Sequence, residues 1–111
     1  MAYQNIVGNR LAQAELTTSY ATIYTAPAET RTYIKNIDIC NTTTGTVRFY
    51  ISFVLKNGTA SAANAIFYNA PINGTTTVQW TGSDILTPGD FISVKASSAG
   101  VTVTVTGGEA T

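Results

Sequence analysis

A chain of 111 residues is long enough for one domain and too short for two cores of ordinary size. Six basic and six acidic residues cancel, and there is no histidine, so the commonest general base and metal ligand are both missing. Arg10, Arg31, Lys35, Arg48, Lys56 and Lys95 are scattered singly, which leaves no patch to neutralise phosphates, and nucleic acid is not expected as a partner.

Residues 1–10 show no period and are expected to form an N-terminal arm that orders only when something holds it, with 11–111 a single β-sandwich domain. Residues 11–16 suit a helical turn or a strand, and strand is preferred. Beyond them Val, Ile, Thr, Tyr and Phe fill short runs separated by Gly, Pro and Asn, the pattern of strands and turns. Residues 22–25 give a short strand stopped at Pro27. Residues 32–40 give a longer one whose alternation breaks near Lys35 and Asn36, predicting a bulge. Over 46–56, Val47, Phe49, Ile51, Phe53 and Leu55 share one face, marked as core-facing, and Arg48, Tyr50, Ser52, Val54 and Lys56 the other. Tyr50 and Val54 leave that second face partly apolar, and a neighbouring subunit is expected to cover it.

Asn57-Gly58 breaks the chain, 59–64 reads as a loop, and 65–68 as a short strand followed by turns at Pro71 and Asn73-Gly74. Residues 75–81 alternate, with Thr76, Val78 and Trp80 on one face. A turn at 82–84 and a short extended piece at 85–86 lead into Thr87-Pro88-Gly89-Asp90. There Pro fixes φ at the second turn position and Gly accepts positive φ at the third. Residues 91–96 and 101–106 read as a hairpin around Ser97-Ser98-Ala99-Gly100, with Val101, Val103 and Val105 facing one way. Seven or eight short strands without a convincing helix predict an all-β fold, a two-sheet antiparallel β-sandwich of jelly-roll-like topology.

Without histidine the chain cannot build a Ser-His-Asp triad, a Cys/His dyad or a zincin site, and it has no glycine-rich phosphate loop. The acids Glu15, Glu29, Asp38, Asp84, Asp90 and Glu109 have no spacing that pairs them for glycoside hydrolysis. Asp84 and Asp90 flank a turn, where Asp bonds its own backbone, and together they fall short of the roughly six to eight oxygens that calcium takes. No catalytic residue, metal or cofactor is expected. Cys40 stands alone, so no intrachain disulfide is available, and it reads as a small half-buried strand residue. No apolar run reaches the length of a membrane span, and the N-terminus lacks the pattern of a signal peptide. Three Asn-x-Thr sequons, at Asn41, Asn57 and Asn73, read as turn chemistry. Trp80 reads as a core or subunit-contact residue, with sugar stacking the alternative. Tyr3, Tyr20, Tyr24, Tyr33, Tyr50 and Tyr68 are spread along the chain, and tyrosine favours protein contacts.

The line Tyr20-Ala21-Thr22-Ile23-Tyr24-Thr25-Ala26-Pro27-Ala28, then Arg31-Thr32-Tyr33-Ile34-Lys35-Asn36-Ile37 and Asn41-Thr42-Thr43, resembles a recurrent type of small tailed-phage virion protein. Trp80, Leu86, Gly89-Asp90 and the segment 93–98 resemble that family's later strands, and the likeness covers about residues 11–108. The resemblance implies a β-sandwich head decoration (cement) protein, or a related fibre or tail domain, trimeric and with no catalytic residues to carry over. The expected function is therefore capsid decoration: a homotrimer on the virion head, made in the host cytoplasm, that stabilises the shell through contacts with the major capsid protein. A stand-alone chain without a fibre shaft favours this over the alternative, a fibre or tail module recognising host glycans through Trp80, tyrosines and the loops at 42–45 or 59–64. Tyr3, Ile6, Val7, Tyr50 and Val54 are the candidate partner-interface residues.

Overall fold

The computed structural model describes residues 5–111. Eight strands make up most of it: β1 (Ile6–Glu15), β2 (Ala21–Thr25), β3 (Arg31–Asn41), β4 (Val47–Val54), β5 (Ala65–Ile72), β6 (Thr77–Leu86), β7 (Phe91–Ala96) and β8 (Val101–Ala110), with one 3-10 turn at Ala62–Asn64. They form two four-stranded antiparallel sheets, a first of order β1-β8-β3-β6 and a second of order β2-β7-β4-β5. Each strand passes to the opposite sheet from the one before it, except at the β4–β5 hairpin. This is an eight-stranded jelly-roll sandwich.

Alternation builds the core. Ile34, Ile37 and Ile39 of β3 and Val101, Val103 and Val105 of β8 face Val47, Phe49 and Ile51 of β4 and Ile92 and Val94 of β7, all buried between the sheets. The bulge predicted in β3 is present, since pairing shifts between Ile34 and Asn36 against both β6 and β8. The extra residue lets Ile34 and Ile37, three apart in sequence, both point inward.

The turn at residues 87–90 also has the expected form: Gly89 sits at φ 91 and Asp90 N donates to Thr87 O at 3.0 Å. Asn41, first residue of a sequon, is fully buried and spends its amide on turn chemistry. Its Oδ1 accepts from Thr43 N at 3.0 Å, and its Nδ2 donates to Gly45 O at 2.8 Å and Ile72 O at 2.9 Å.

Several boundaries differ from expectation. Residues 6–10, expected within an arm, are the first half of β1 and pair with 106–110 of β8. The expected 91–96/101–106 hairpin does not form, because β7 and β8 lie in opposite sheets. A four-residue link suits a crossing of about 10 Å between stacked sheets as well as a hairpin, and Gly100 at φ 106, its carbonyl accepting from Thr42 N, directs the chain across. Pro71 lies inside β5, tolerable because β5 is an edge strand. The expected turn at 82–84 is a bulge within β6, where Gly82 leaves room for the Trp80 ring, 3.0 Å from where a Cβ would stand.

β4 keeps Val47, Phe49 and Ile51 inward, but it ends at Val54, so Leu55, expected in the core, is 73% exposed in the following turn. Ile37→Ala should therefore lower unfolding free energy by about 2–5 kcal/mol, the cost of a cavity in a packed core. Leu55→Ala should change it by under about 0.5 kcal/mol. Chemical denaturation of the two variants measures the contrast, and comparable losses would return Leu55 to the core.

Candidate functional site

Among the described residues no group of three or more His, Cys, Asp or Glu is placed to hold a metal ion. Several carboxylates are engaged in structure. Asp90, buried beside the turn, accepts at Oδ2 from Thr87 N at 3.0 Å and Thr87 Oγ1 at 2.9 Å, and at Oδ1 from Lys56 N at 2.9 Å. Burial works against its charge, but these donors outweigh it and hold the carboxyl below its ordinary value. Asp84 Oδ1 accepts from Ile85 N at 3.0 Å. Glu109 of β8 accepts from Tyr24 Oη of β2 at 2.6 Å, and Tyr24 shares a second hydrogen bond with Thr32 Oγ1 of β3 at 2.8 Å, so the pair clasps one sheet to the other.

The outer face of the second sheet gathers what the sequence had scattered. Register places Lys95 of β7 opposite Tyr50 of β4, with Tyr20 just before β2 on one flank and Tyr68 of β5 on the other. The Tyr50 ring meets Tyr68 edge-on at 5.3 Å and Tyr20 at 6.2 Å, while Lys95 Nζ lies 4.4 Å from the Tyr50 ring and 4.8 Å from Tyr20. Such cation–ring contacts hold an ammonium in place while leaving its outer hydrogens free. Asn69, at φ 53 in a bulge of β5, accepts from Tyr50 Oη at 2.9 Å on its side chain and from Arg48 Nη1 at 3.0 Å on its carbonyl. The strands of the second sheet carry Arg48 and Lys95 and no acid, whereas those of the first mix Arg10, Arg31 and Lys35 with Glu15, Asp38, Asp84 and Glu109.

The candidate interface residues separate. Tyr3 lies outside the described residues. Ile6 and Val7 are 65% and 60% exposed at the start of β1, in the first sheet, where Ile6 borders an open groove of about 530 Å³ with Tyr33, Lys35 and Gly108. Tyr50 sits in the aromatic row on the second sheet, so the structure does not bring it together with Ile6 and Val7.

Val54 is a correction: it is buried, and its cover is the chain's own 55–58 turn. There Gly58 N donates to Leu55 O, and a Cβ on Gly58 would stand 3.0 Å from Val54 Cγ1. Tyr50, likewise, is flanked by this chain's own tyrosines. Tyr20, Tyr68 and Lys95 were missed because only strand order and the bulges of β5 bring them to Tyr50. Trp80 is half-buried, edge-on to Phe53 at 6.0 Å, which is core packing rather than an open stacking platform.

No family model matches the chain, and no curated protein resembles it in sequence. Solved structures do resemble it in fold. A chain of the infectious bursal disease virus Gx strain superposes with TM-score 0.52 at 10% identity over 92% of this chain, and one from the T13 particle of that virus with 0.54 at 10% over 96%. This chain spans about a third of each, 32% and 30%. A chain of Bacillus endospore appendages, a family of disulfide-linked pili, superposes with TM-score 0.54 at 17% identity over 100% of this chain and 94% of its own. The likeness is one of fold. No helix among the described residues is long and apolar enough to cross a membrane.

Burial, reinforced by the hydrogen bond to Glu109, pushes the Tyr24 phenol from 10.0 up to about 12. The fold favours the neutral phenol. Its stabilisation is complete below the ordinary value and is lost as pH rises from there through about 12. Tyr24→Phe should cost about 1–2 kcal/mol at neutral pH and flatten the alkaline fall, which melting curves between neutral and strongly alkaline pH would measure. Buried Ser52 Oγ has no partner among the described residues, so Ser52→Ala should leave the melting temperature unchanged or raise it.

Proposed function

We propose that the chain is a structural subunit of a virion, a decoration (cement) protein that sits as a trimer on the head and holds the shell together through contacts with the major capsid protein. The observation that carries this reading is the row Tyr20–Lys95–Tyr50–Tyr68 on the outer face of the second sheet. Tyrosine anchors mounted on rigid strands fasten protein surfaces at low entropic cost. With Arg48 and Lys95 unaccompanied by acids on those strands, the face suits a partner surface rich in carboxylates. Likeness of fold to chains of a virus particle supports a virion as the assembly, by analogy. Each contact stabilises only the assembled shell, so many weak copies add up. Tyr50 on this face is proposed to meet the partner, and Tyr3, Ile6 and Val7 are proposed to make a separate contact, with the capsid or with a neighbouring subunit. The tailed-phage resemblance supports a bacteriophage head as the setting, reached after synthesis in the host cytoplasm.

A second reading, a fibre or tail module binding host glycans, is favoured by Tyr68, 57% exposed beside the Asn69 amide. The loops offer it less. Thr42 Oγ1 donates to Gly100 O, Thr43 Oγ1 to Gly45 O, and Asn64 Nδ2 to Thr59 O, so their polar groups serve the fold.

Adding the purified chain back to heads stripped of it should give saturable rebinding at the outer surface in a particle reconstruction. Tyr68→Ser should weaken rebinding by about tenfold or more without lowering the melting temperature. Failure to rebind, combined with saturable binding on a glycan array, would replace the first reading with the second.

A further inference from the structure

A sheet edge presents unpaired N–H and C=O groups, and folded proteins guard it with bulges, proline, charge or brevity. Three of the four edges here are guarded. β2 has five residues and a register shift between Thr22 and Tyr24. β5 shifts twice against β4, holds Asn69 at φ 53 and carries Pro71. β1 shifts between Arg10 and Ala12, which divides it into a stretch 6–10 with Gly8 at its middle and a charge at its end, and a four-residue stretch 12–15 that ends on the charge of Glu15.

β6 differs. Its pairing with β3 runs unshifted over residues 77–81, and guarding begins only beyond, with the bulge at Gly82 and Ser83, Lys35 Nζ 3.1 Å from Ser83 Oγ, and Asp84.

The phase of that pairing fixes which backbone groups are spare. Asn41 N donates to Thr76 O at 2.9 Å, so Asn41 and Thr76 form a hydrogen-bonded pair, and by alternation so do Ile39 with Val78 and Ile37 with Trp80. The N–H and C=O groups of Thr77, Gln79 and Thr81 therefore point outward. The side chains follow the same rhythm. Thr77, Gln79 and Thr81 are exposed, whereas Val78 and Trp80 are half-buried against the core.

We infer that residues 77–81 of β6 pair antiparallel with the same residues of a second copy of this chain, about a two-fold axis through Gln79. The segment Thr-Val-Gln-Trp-Thr is symmetric in character about its middle, so the axis sets Thr77 against Thr81, Gln79 against Gln79, and Val78 against Trp80 twice over. Aromatic against β-branched is a favourable cross-strand pair, and here it continues the Phe53–Trp80 contact into the neighbour. No charge lies within the segment. The nearest like charges, two copies of Asp38 opposite Gln79, would stand three strand spacings apart, about 14 Å, beyond the screening length at physiological salt.

The contact deepens the multi-copy reading, on which it rests, by naming one seam between subunits. Trimers that keep this edge outward would meet each other through it. Five residues per copy make a weak contact alone and an effective one when repeated.

Register-specific crosslinking of the full chain tests it, in a Cys40→Ser background with oxidised glutathione. The axis brings the two copies of residue 79 to about 5.5 Å between Cα atoms, within disulfide reach, and leaves the two copies of residue 77 about 14 Å apart. Gln79→Cys should give a covalent dimer about tenfold or more faster than Thr77→Cys. Thr77→Cys mixed with Thr81→Cys should give the heterodimer. Thr81→Pro, which removes an outward N–H and leaves the β3–β6 ladder whole, should suppress the Gln79→Cys dimer, with circular dichroism confirming the fold. Equal rates for Gln79→Cys and Thr77→Cys, or no dimer at about 1 mM chain, would overturn the contact. Rebinding to heads is scored separately. Heads that bind a chain unable to crosslink refute the seam alone, and a crosslinked dimer that ignores heads refutes the virion reading alone.

Discussion

Stacking of two sheets through apolar side chains at alternate positions is the constraint on which the rest of this molecule depends. Ile37, Ile39, Val103 and Val105 on one sheet and Phe49, Ile51, Ile92 and Val94 on the other are withdrawn from water together. Each such side chain is worth roughly 1.5–3 kcal/mol against the entropy of ordering the chain. With no disulfide and no metal group among the described residues, little else is available to oppose that entropy. Because the period is two, burying one set of residues also decides what the other set presents. Tyr50 faces outward because Phe49 and Ile51 face inward.

From that rule follow two different surfaces. The outer face of the second sheet is aromatic and cationic, its ammonium held over two tyrosine rings. The first sheet holds the acids of the strands, and its last strand, β6, ends the sheet on a neutral, symmetric segment. A surface that is nowhere strongly charged does little to keep copies apart, and the two surfaces point in different directions from one rigid scaffold. One scaffold can thus meet a foreign surface on a face and its own kind on an edge.

The fold class was legible because strict alternation in residues 46–54 and 101–106 admits no other period, and the β3 bulge was legible because Ile34 and Ile37 violate it. The turn around Pro88 and Gly89 followed from φ preferences alone. What local pattern could not carry was direction across space. Ser97-Ser98-Ala99-Gly100 fits a hairpin and an inter-sheet crossing equally well, and the partner of β8 is settled by burial far along the chain. Residues 6–10 looked like an arm because Gly8, Asn9 and Arg10 hide a strand whose order comes from its neighbour 106–110. Alternation puts Val54 on the outer face, and nothing local shows that the next four residues fold back over it. Of the aromatic row only Tyr50 could be singled out, since Tyr20, Tyr68 and Lys95 reach it through pairings between distant strands.

Native-state hydrogen exchange of the isolated chain measures whether the two sheets stabilise one another. In β3, β8, β4 and β7 every strand is paired on both sides, so their amides should exchange only through global unfolding and share one opening free energy. Exchange of β8 amides at the rate of an open loop, while β4 and β7 stay protected, would mean that the two sheets do not stabilise one another and would contradict a shared core.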